Sequence, residues 1–228
     1  MKRFLIPLVI CLVLTGTAWG DFQSGVEAYK RGQYQRALRE FKLLANQGSA
    51  EAQFNLGVMY FRGDGVDQDY AEGIIWFRRA ADQNDPDAQY NLAMAYSEGQ
   101  GVSRDYAEAI NWYRKAADQG HDSAQLNLGT LYYQGKGAPQ DYAEALKWYG
   151  RAADLGNGRA QFNLGVMYAK GQGVPADLVQ AFKWLTLAQE RGDKDAAALL
   201  AQVSERMTPD QVASAQDLLK TWRLKATK

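Results

Sequence analysis

The sequence predicts an all-α protein, a solenoid of antiparallel helix pairs, and two observations carry that prediction. A skeleton recurs at a step of 36 residues. Ala52, Ala88, Ala124 and Ala160 are each followed by Gln; Asn55-Leu56, Asn91-Leu92, Asn127-Leu128 and Asn163-Leu164 keep the step, as do Trp76, Trp112, Trp148 and Trp184. A fixed period of this size marks a stacked array. Within each period, apolar residues return at three- and four-residue spacing in two runs, which is the spacing of two amphipathic helices. A single such pair cannot bury both its faces, so each must stack on its neighbours.

The chain opens on Lys2 and Arg3, continues through an apolar run from Phe4 to Leu14, and reaches small residues at Ala18 and Gly20. That order is the form of a secretory signal peptide over residues 1–20, with an apolar core too short to span a bilayer. Cys11, the one cysteine, lies in that core behind Ile10 rather than a small residue, and is expected to leave with it. The processed chain, residues 21–228, then holds no disulfide and no thiolate zinc site. It is long enough for a single array with a continuous core.

Residues 22–48 read as a first helix pair with a shortened turn, since Tyr29-Lys30-Arg31-Gly32 parallels Tyr60-Phe61-Arg62-Gly63. Four regular copies follow at 49–84, 85–120, 121–156 and 157–192. In the first, Ser49 is placed to cap a helix bearing Ala52, Leu56, Met59 and Tyr60, and Gly63 to end it. After a short Gly-rich turn, Asp69 with Glu72 has the form of a capping box. Asp105 with Glu108 and Asp141 with Glu144 repeat it. The second helix carries Tyr70, Ile74, Phe77 and Ala81 in a stripe, with Trp76 and Ala80 beside it. Asn84, Gly120, Gly156 and Gly192 stop the second helices. Gly57, Gly129 and Gly165 sit inside the first helices, where Gly costs about 1 kcal/mol against Ala; a small residue kept there predicts a close helix approach. Residues 193–228 form a terminal cap: a last helix over Ala196 to Val203, then a helix started by Thr208 and Pro209 with Val212, Ala215, Leu218, Leu219 and Trp222 as its apolar stripe.

The pattern A-Q-x-N-L-G-x-x-Y, then G-x-G-V, D-Y-A-E-A and W-x-x-x-A-A-D-x-G resembles the SEL-one-like repeat (SLR), a relative of the tetratricopeptide repeat. Four copies in register cover most of the processed chain. The resemblance implies a right-handed superhelix of helix pairs with a concave groove, used as an interaction scaffold, and an exported bacterial member of the family.

Catalytic chemistry finds little to stand on. His121 is the only histidine, so no H-E-x-x-H metal site exists. There is no S-x-x-K and no G-x-S-x-G. The G-x-G turns follow helices and lack both the preceding strand and the third Gly of a phosphate cradle. No cofactor, metal site or catalytic residue is assigned. Lys and Arg together number 26 against 26 acidic residues, and loss of Lys2 and Arg3 leaves 24 against 26, a net charge of −2. With no basic block, nucleic acid is not an expected partner.

A partner is expected at first-helix positions that vary while the skeleton stays fixed. By the resemblance, the groove-facing slots are Phe54, Tyr90, Leu126 and Phe162; Val58, Met94, Thr130 and Val166; and Phe61, Ser97, Tyr133 and Ala169, with Arg62, Glu98, Gln134 and Lys170 in the neighbouring slot. Asn55, Asn91, Asn127 and Asn163 form a ladder with two readings: amides that grip a peptide backbone, or ties between successive repeats. The expected function is a non-enzymatic scaffold of the cell envelope, periplasmic or else secreted, that holds a protein or peptide in its groove without stable membrane insertion. The alternatives are a secreted effector that binds a host protein, and a cell-wall or β-lactam-directed hydrolase of the kind ascribed to cysteine-rich relatives.

Overall fold

The computed structural model describes residues 15–226, with side chains from 22 to 224. The expected leader lies mostly outside the described residues, and Cys11 lies wholly outside them. The described residues form twelve α-helices: α1 (Thr15–Lys30), α2 (Tyr34–Asn46), α3 (Ala50–Arg62), α4 (Tyr70–Asp82), α5 (Pro86–Glu98), α6 (Tyr106–Asp118), α7 (Asp122–Gln134), α8 (Tyr142–Asp154), α9 (Gly158–Lys170), α10 (Leu178–Glu190), α11 (Lys194–Glu205) and α12 (Pro209–Ala226). No strand occurs among them. The fold class is the all-α solenoid of helix pairs that the period predicts. Among the described residues no helix is long and apolar enough to cross a membrane. The described residues divide into two compact units, one ending at Trp76 and the other beginning at Phe77, at the middle of α4.

The helix boundaries follow from capping. Ser49, Asp85, His121, Asn157 and Asp193 each accept a backbone N–H from the first turn of an odd-numbered helix. His121 does this through Nδ1, 3.1 Å from the Ala124 nitrogen. It is a half-buried capping residue. At the other ends Gly63, Gly99, Gly135 and Gly171 adopt φ of 77, 76, 66 and 70°, a region that favours glycine. Among the described residues Asn84 is the one non-glycine with positive φ, at 71°. It stops α4 where Gly120 and Gly156 stop the next two second helices.

The second helices correct one expectation. Asp69, Asp105, Asp141 and Asp177 do cap them, but the box is not closed by the acidic residue three positions on. The backbone N–H of each Asp donates instead to a tyrosine carbonyl of the preceding helix: Tyr60, Tyr96, Tyr132 and Tyr168, at 2.9, 2.9, 3.0 and 2.9 Å. Glu72, Glu108 and Glu144 are thereby released to accept the indole N–H of Trp76, Trp112 and Trp148, at 2.8, 2.8 and 3.0 Å. These tryptophans are buried but carry a polar edge that needs an acceptor. A true reciprocal box appears at the start of α12, where Thr208 and Gln211 exchange bonds of 2.9 and 3.3 Å.

In the first unit the core gathers Ala28, Phe41, Leu44, Leu56, Met59 and Trp76. Tyr70, expected on the buried stripe, stands at the surface with its ring 4.9 Å from that of Phe61. Phe61 lies over Gly73, where a Cβ would meet its ring at 2.6 Å. In the second unit the helices of a pair pack closely at the internal glycines: a Cβ on Gly129 would stand 2.8 Å from the Tyr149 ring, and one on Gly165 2.5 Å from Leu185. The end of the array is closed by α11 and by α12, which lies against α10. Trp222 meets Trp184 edge to face at 6.3 Å and donates to Asp154 at 3.2 Å.

Successive repeats are tied by a residue type that the sequence displays without explaining. Gln53, Gln89, Gln125 and Gln161 are all buried. Each Nε2 donates to an alanine carbonyl in the preceding second helix: Ala45, Ala81, Ala117 and Ala153, at 3.1, 3.2, 2.9 and 3.1 Å.

Candidate partner-binding groove

On each first helix the positions that begin with Ala52, Leu56 and Met59 go to the core, and those that begin with Phe54 and Val58 are carried round to a half-buried face. In the first unit this face holds Phe54, Asn55, Val58 and Phe61, with Arg62 exposed beside them. Asn55 donates to its own helix at the Glu51 carbonyl, 2.7 Å away, and Arg62 donates to the Tyr29 hydroxyl at 3.2 Å. In the second unit Tyr90, Asn91 and Met94 occupy it on α5. Asn91 repeats the local bond, to the Asp87 carbonyl at 2.8 Å. Tyr90 stacks on His121 at 4.5 Å, and His121 Nε2 lies 3.3 Å from Asp87.

The predicted residues converge between α7 and α9. A cavity of about 360 Å³ opens there, lined by Leu126, Asn127, Thr130 and Tyr133 from α7 and by Phe162, Asn163 and Val166 from α9. Gln134, Tyr149 and Arg159 complete it. A smaller cavity of about 220 Å³ lies on the other side of α7 and shares Asn127, Thr130 and Gln134 with the first.

The wall of this groove is apolar and its floor is polar. Tyr149 donates to the Thr130 hydroxyl at 3.1 Å, and that hydroxyl donates to the Leu126 carbonyl at 2.9 Å. Asn127 donates to the Tyr113 hydroxyl at 3.1 Å. The four-Asn ladder is therefore not uniform: two amides bond locally and Asn127 reaches a neighbouring helix pair. Burial pushes the phenols of Tyr113 and Tyr149 up from their ordinary value, so both stay neutral near pH 7. Arg159 lies over the Phe162 ring at 5.3 Å and 3.6 Å from Asp193. Neutral amides and hydroxyls between apolar rings suit a peptide, whose backbone offers donors and acceptors and whose side chains supply the apolar surface.

Three of these groups escaped the sequence reading. Tyr113 and Tyr149 come from second helices, at the position that Phe77 and Leu185 fill elsewhere; the added hydroxyls were the available signal. Arg159 is the third, and its position in the first turn of α9 gave none. Among the described residues no group of three or more His, Cys, Asp and Glu side chains is arranged to hold a metal ion.

The Sel1 repeat pattern matches the chain four times, over residues 50–85, 86–121, 122–157 and 158–193. A Sel1 repeat protein of Oxalobacter formigenes is 33% identical; the match covers 90% of this chain and 84% of that one, with a TM-score of 0.77. A protective antigen of uropathogenic Escherichia coli with an SLR fold is also 33% identical, with a TM-score of 0.82, over 93% of this chain but 46% of its own length. A Sel1 repeat protein of Klebsiella pneumoniae, at 22% identity and a TM-score of 0.52, shares the fold. No curated protein matches the chain. Four consecutive matched repeats, and two solved structures related over nine-tenths of its length, make the chain a member of the Sel1 repeat family, whose members generally serve as protein–protein interaction scaffolds.

Proposed function

We propose that this protein is a non-enzymatic scaffold of the cell envelope, most simply of the periplasm, that holds a segment of a partner protein in the groove between its first helices. The observation that carries the reading is the cavity between α7 and α9, where residues that vary from repeat to repeat meet over a floor of neutral hydrogen-bonding groups. Variation at Leu126 and Phe162 against the fixed Ala124 and Leu128 separates a contact surface from a packing surface. The envelope location rests on the N-terminal order of Lys2 and Arg3, an apolar run, and small residues.

The test uses the full chain with a C-terminal tag, expressed in a bacterial host and used to capture partners from fractionated cells. Beside it run Leu126→Ala/Phe162→Ala and a control, Leu155→Ala, which changes an exposed leucine outside the groove. The groove reading requires a partner that is held by the wild type and the control and lost by the double variant. Equal capture by all three places the contact elsewhere. Recovery of the unprocessed protein in the cytoplasmic fraction alone would reject the envelope location.

A further inference from the structure

The repeats can be compared position by position, and one of them lacks a ring. In the first regular repeat Phe61 packs on Tyr70 with ring centroids 4.9 Å apart. In the third, Tyr133 packs on Tyr142 at 5.2 Å. In the fourth both partners are aliphatic, Ala169 and Leu178, and both join the terminal core. Only the second repeat keeps one half of the pair. Tyr106 stands where Tyr70 and Tyr142 stand, but the position of Phe61 and Tyr133 is Ser97. No ring packs on Tyr106 among the described residues, and an opening of about 220 Å³ lies beside it, bordered by Ser97, Glu98, Tyr113 and Lys136.

The size and chemistry of the opening point to its occupant. A cavity of about 150 Å³ already accepts benzene, so this one has room for a phenol. Tyr106 offers a ring for an edge-to-face pair. The Arg104 guanidinium and the Lys136 ammonium lie 5.9 and 5.6 Å from the Tyr106 ring, and Lys136 borders the space with a cation, which is attracted to an aromatic face. The Glu98 carboxylate supplies an acceptor for a hydroxyl. We propose that this opening receives a tyrosine side chain of the bound segment, restoring from the partner the ring pair that Phe61–Tyr70 and Tyr133–Tyr142 make within the chain. The proposal rests on the groove reading above, since the opening shares Asn127, Thr130 and Gln134 with the larger cavity.

The full chain is titrated with p-cresol, the side chain of tyrosine in free form, and with toluene, while the amide resonances of Ser97 and Tyr106 are followed by NMR. Saturable shifts at these residues are expected, with p-cresol favoured over toluene. Glu98→Gln should reduce that preference. Ser97→Phe supplies the missing ring and should abolish the shifts in a protein that melts no lower than wild type. Should that ring not fit, Tyr106→Ala gives an independent reading, with binding about tenfold weaker. Absence of saturable shifts, or equal binding by Tyr106→Ala and wild type, overturns the proposal. If p-cresol fails while partner capture still depends on Leu126 and Phe162, the tyrosine assignment falls and the groove stands. If p-cresol binds and capture ignores the groove substitutions, the groove reading falls, and with it the partner's tyrosine as occupant.

Discussion

The glutamine tie shows how one side chain can complete or break a repeat junction. Gln89 is satisfied at both ends: its Nε2 donates to Ala81, and its Oε1 accepts from Gln119 at 2.8 Å. One repeat later the position of Gln119 is Leu155, and the buried Oε1 of Gln125 has no donor. Leu155 is 60% exposed, so it gains little from burial where it stands. Leu155→Gln is therefore expected to stabilise the fold by about 1 kcal/mol, the net worth of one buried hydrogen bond. Thermal unfolding followed by circular dichroism would show a rise in Tm of a few degrees; an unchanged or lower Tm would mean that the orphaned oxygen carries no cost. The repeated Ala-Gln dipeptide was legible in the sequence, but its role was not. Glutamine is mostly an exposed residue, and only the carbonyl it meets reveals why a polar side chain is kept at a fully buried position.

The helices themselves were the most legible level, because caps and periodicity act over a few residues. Ser49, Gly63 and Thr208 do what their positions predict, and Asp105 caps its helix without closing the box. What sequence spacing could not reveal is competition between partners. The Asp69 N–H finds the Tyr60 carbonyl, which leaves Glu72 for Trp76, and that choice depends on two helices meeting. The Glu–Trp pairing makes a prediction that separates acceptor from charge. Glu108→Ala leaves the Trp112 indole N–H without its partner and is expected to cost about 1 kcal/mol in urea unfolding, whereas Glu108→Gln keeps an acceptor oxygen and should cost less than half of that. Equal losses for the two would assign the effect to charge at the helix N-terminus instead. The cap on α7 can be tested in the same way. His121→Ala is expected to lose about 1 kcal/mol, within the usual range for a lost N-cap. His121→Asn should retain most of it, since Asn157 performs the same task one repeat later at 3.1 Å. A loss as large with Asn as with Ala would show that the ring's stacking on Tyr90, and not the cap, is what matters there.

At the scale of the whole molecule, the period made the array legible and hid the groove's floor. An aromatic in a second helix reads as core, and Phe77 is core; the hydroxyls that make Tyr113 and Tyr149 polar neighbours of α7 show their use only when the helices are stacked. Those same hydroxyls link the fold to alkaline pH. Burial raises the phenol pKa of Tyr29, Tyr90, Tyr113, Tyr149 and Tyr168, with contributions from nearby charges and hydrogen bonds. An unfolded tyrosine ionises near pH 10. Above that pH the unfolded chain has released protons that the folded chain still holds, so the folded state loses stability as pH rises. The stability that these groups contribute is thus complete below about pH 10 and declines through the alkaline range. Tyr113 is the most instructive of the five, because it is buried at the groove and its hydroxyl is bonded by Asn127. Removal of that one titrating group in Tyr113→Phe should lower stability modestly at pH 7, where the Asn127 bond is lost. Above pH 10 it should flatten the decline by up to about 1.4 kcal/mol per pH unit. Urea unfolding of wild type and variant at a series of pH values from 8 to 11 would show the two stability curves approaching as pH rises. Parallel curves over that range would mean that Tyr113 ionises alike in both states, and that the floor of the groove is open to water.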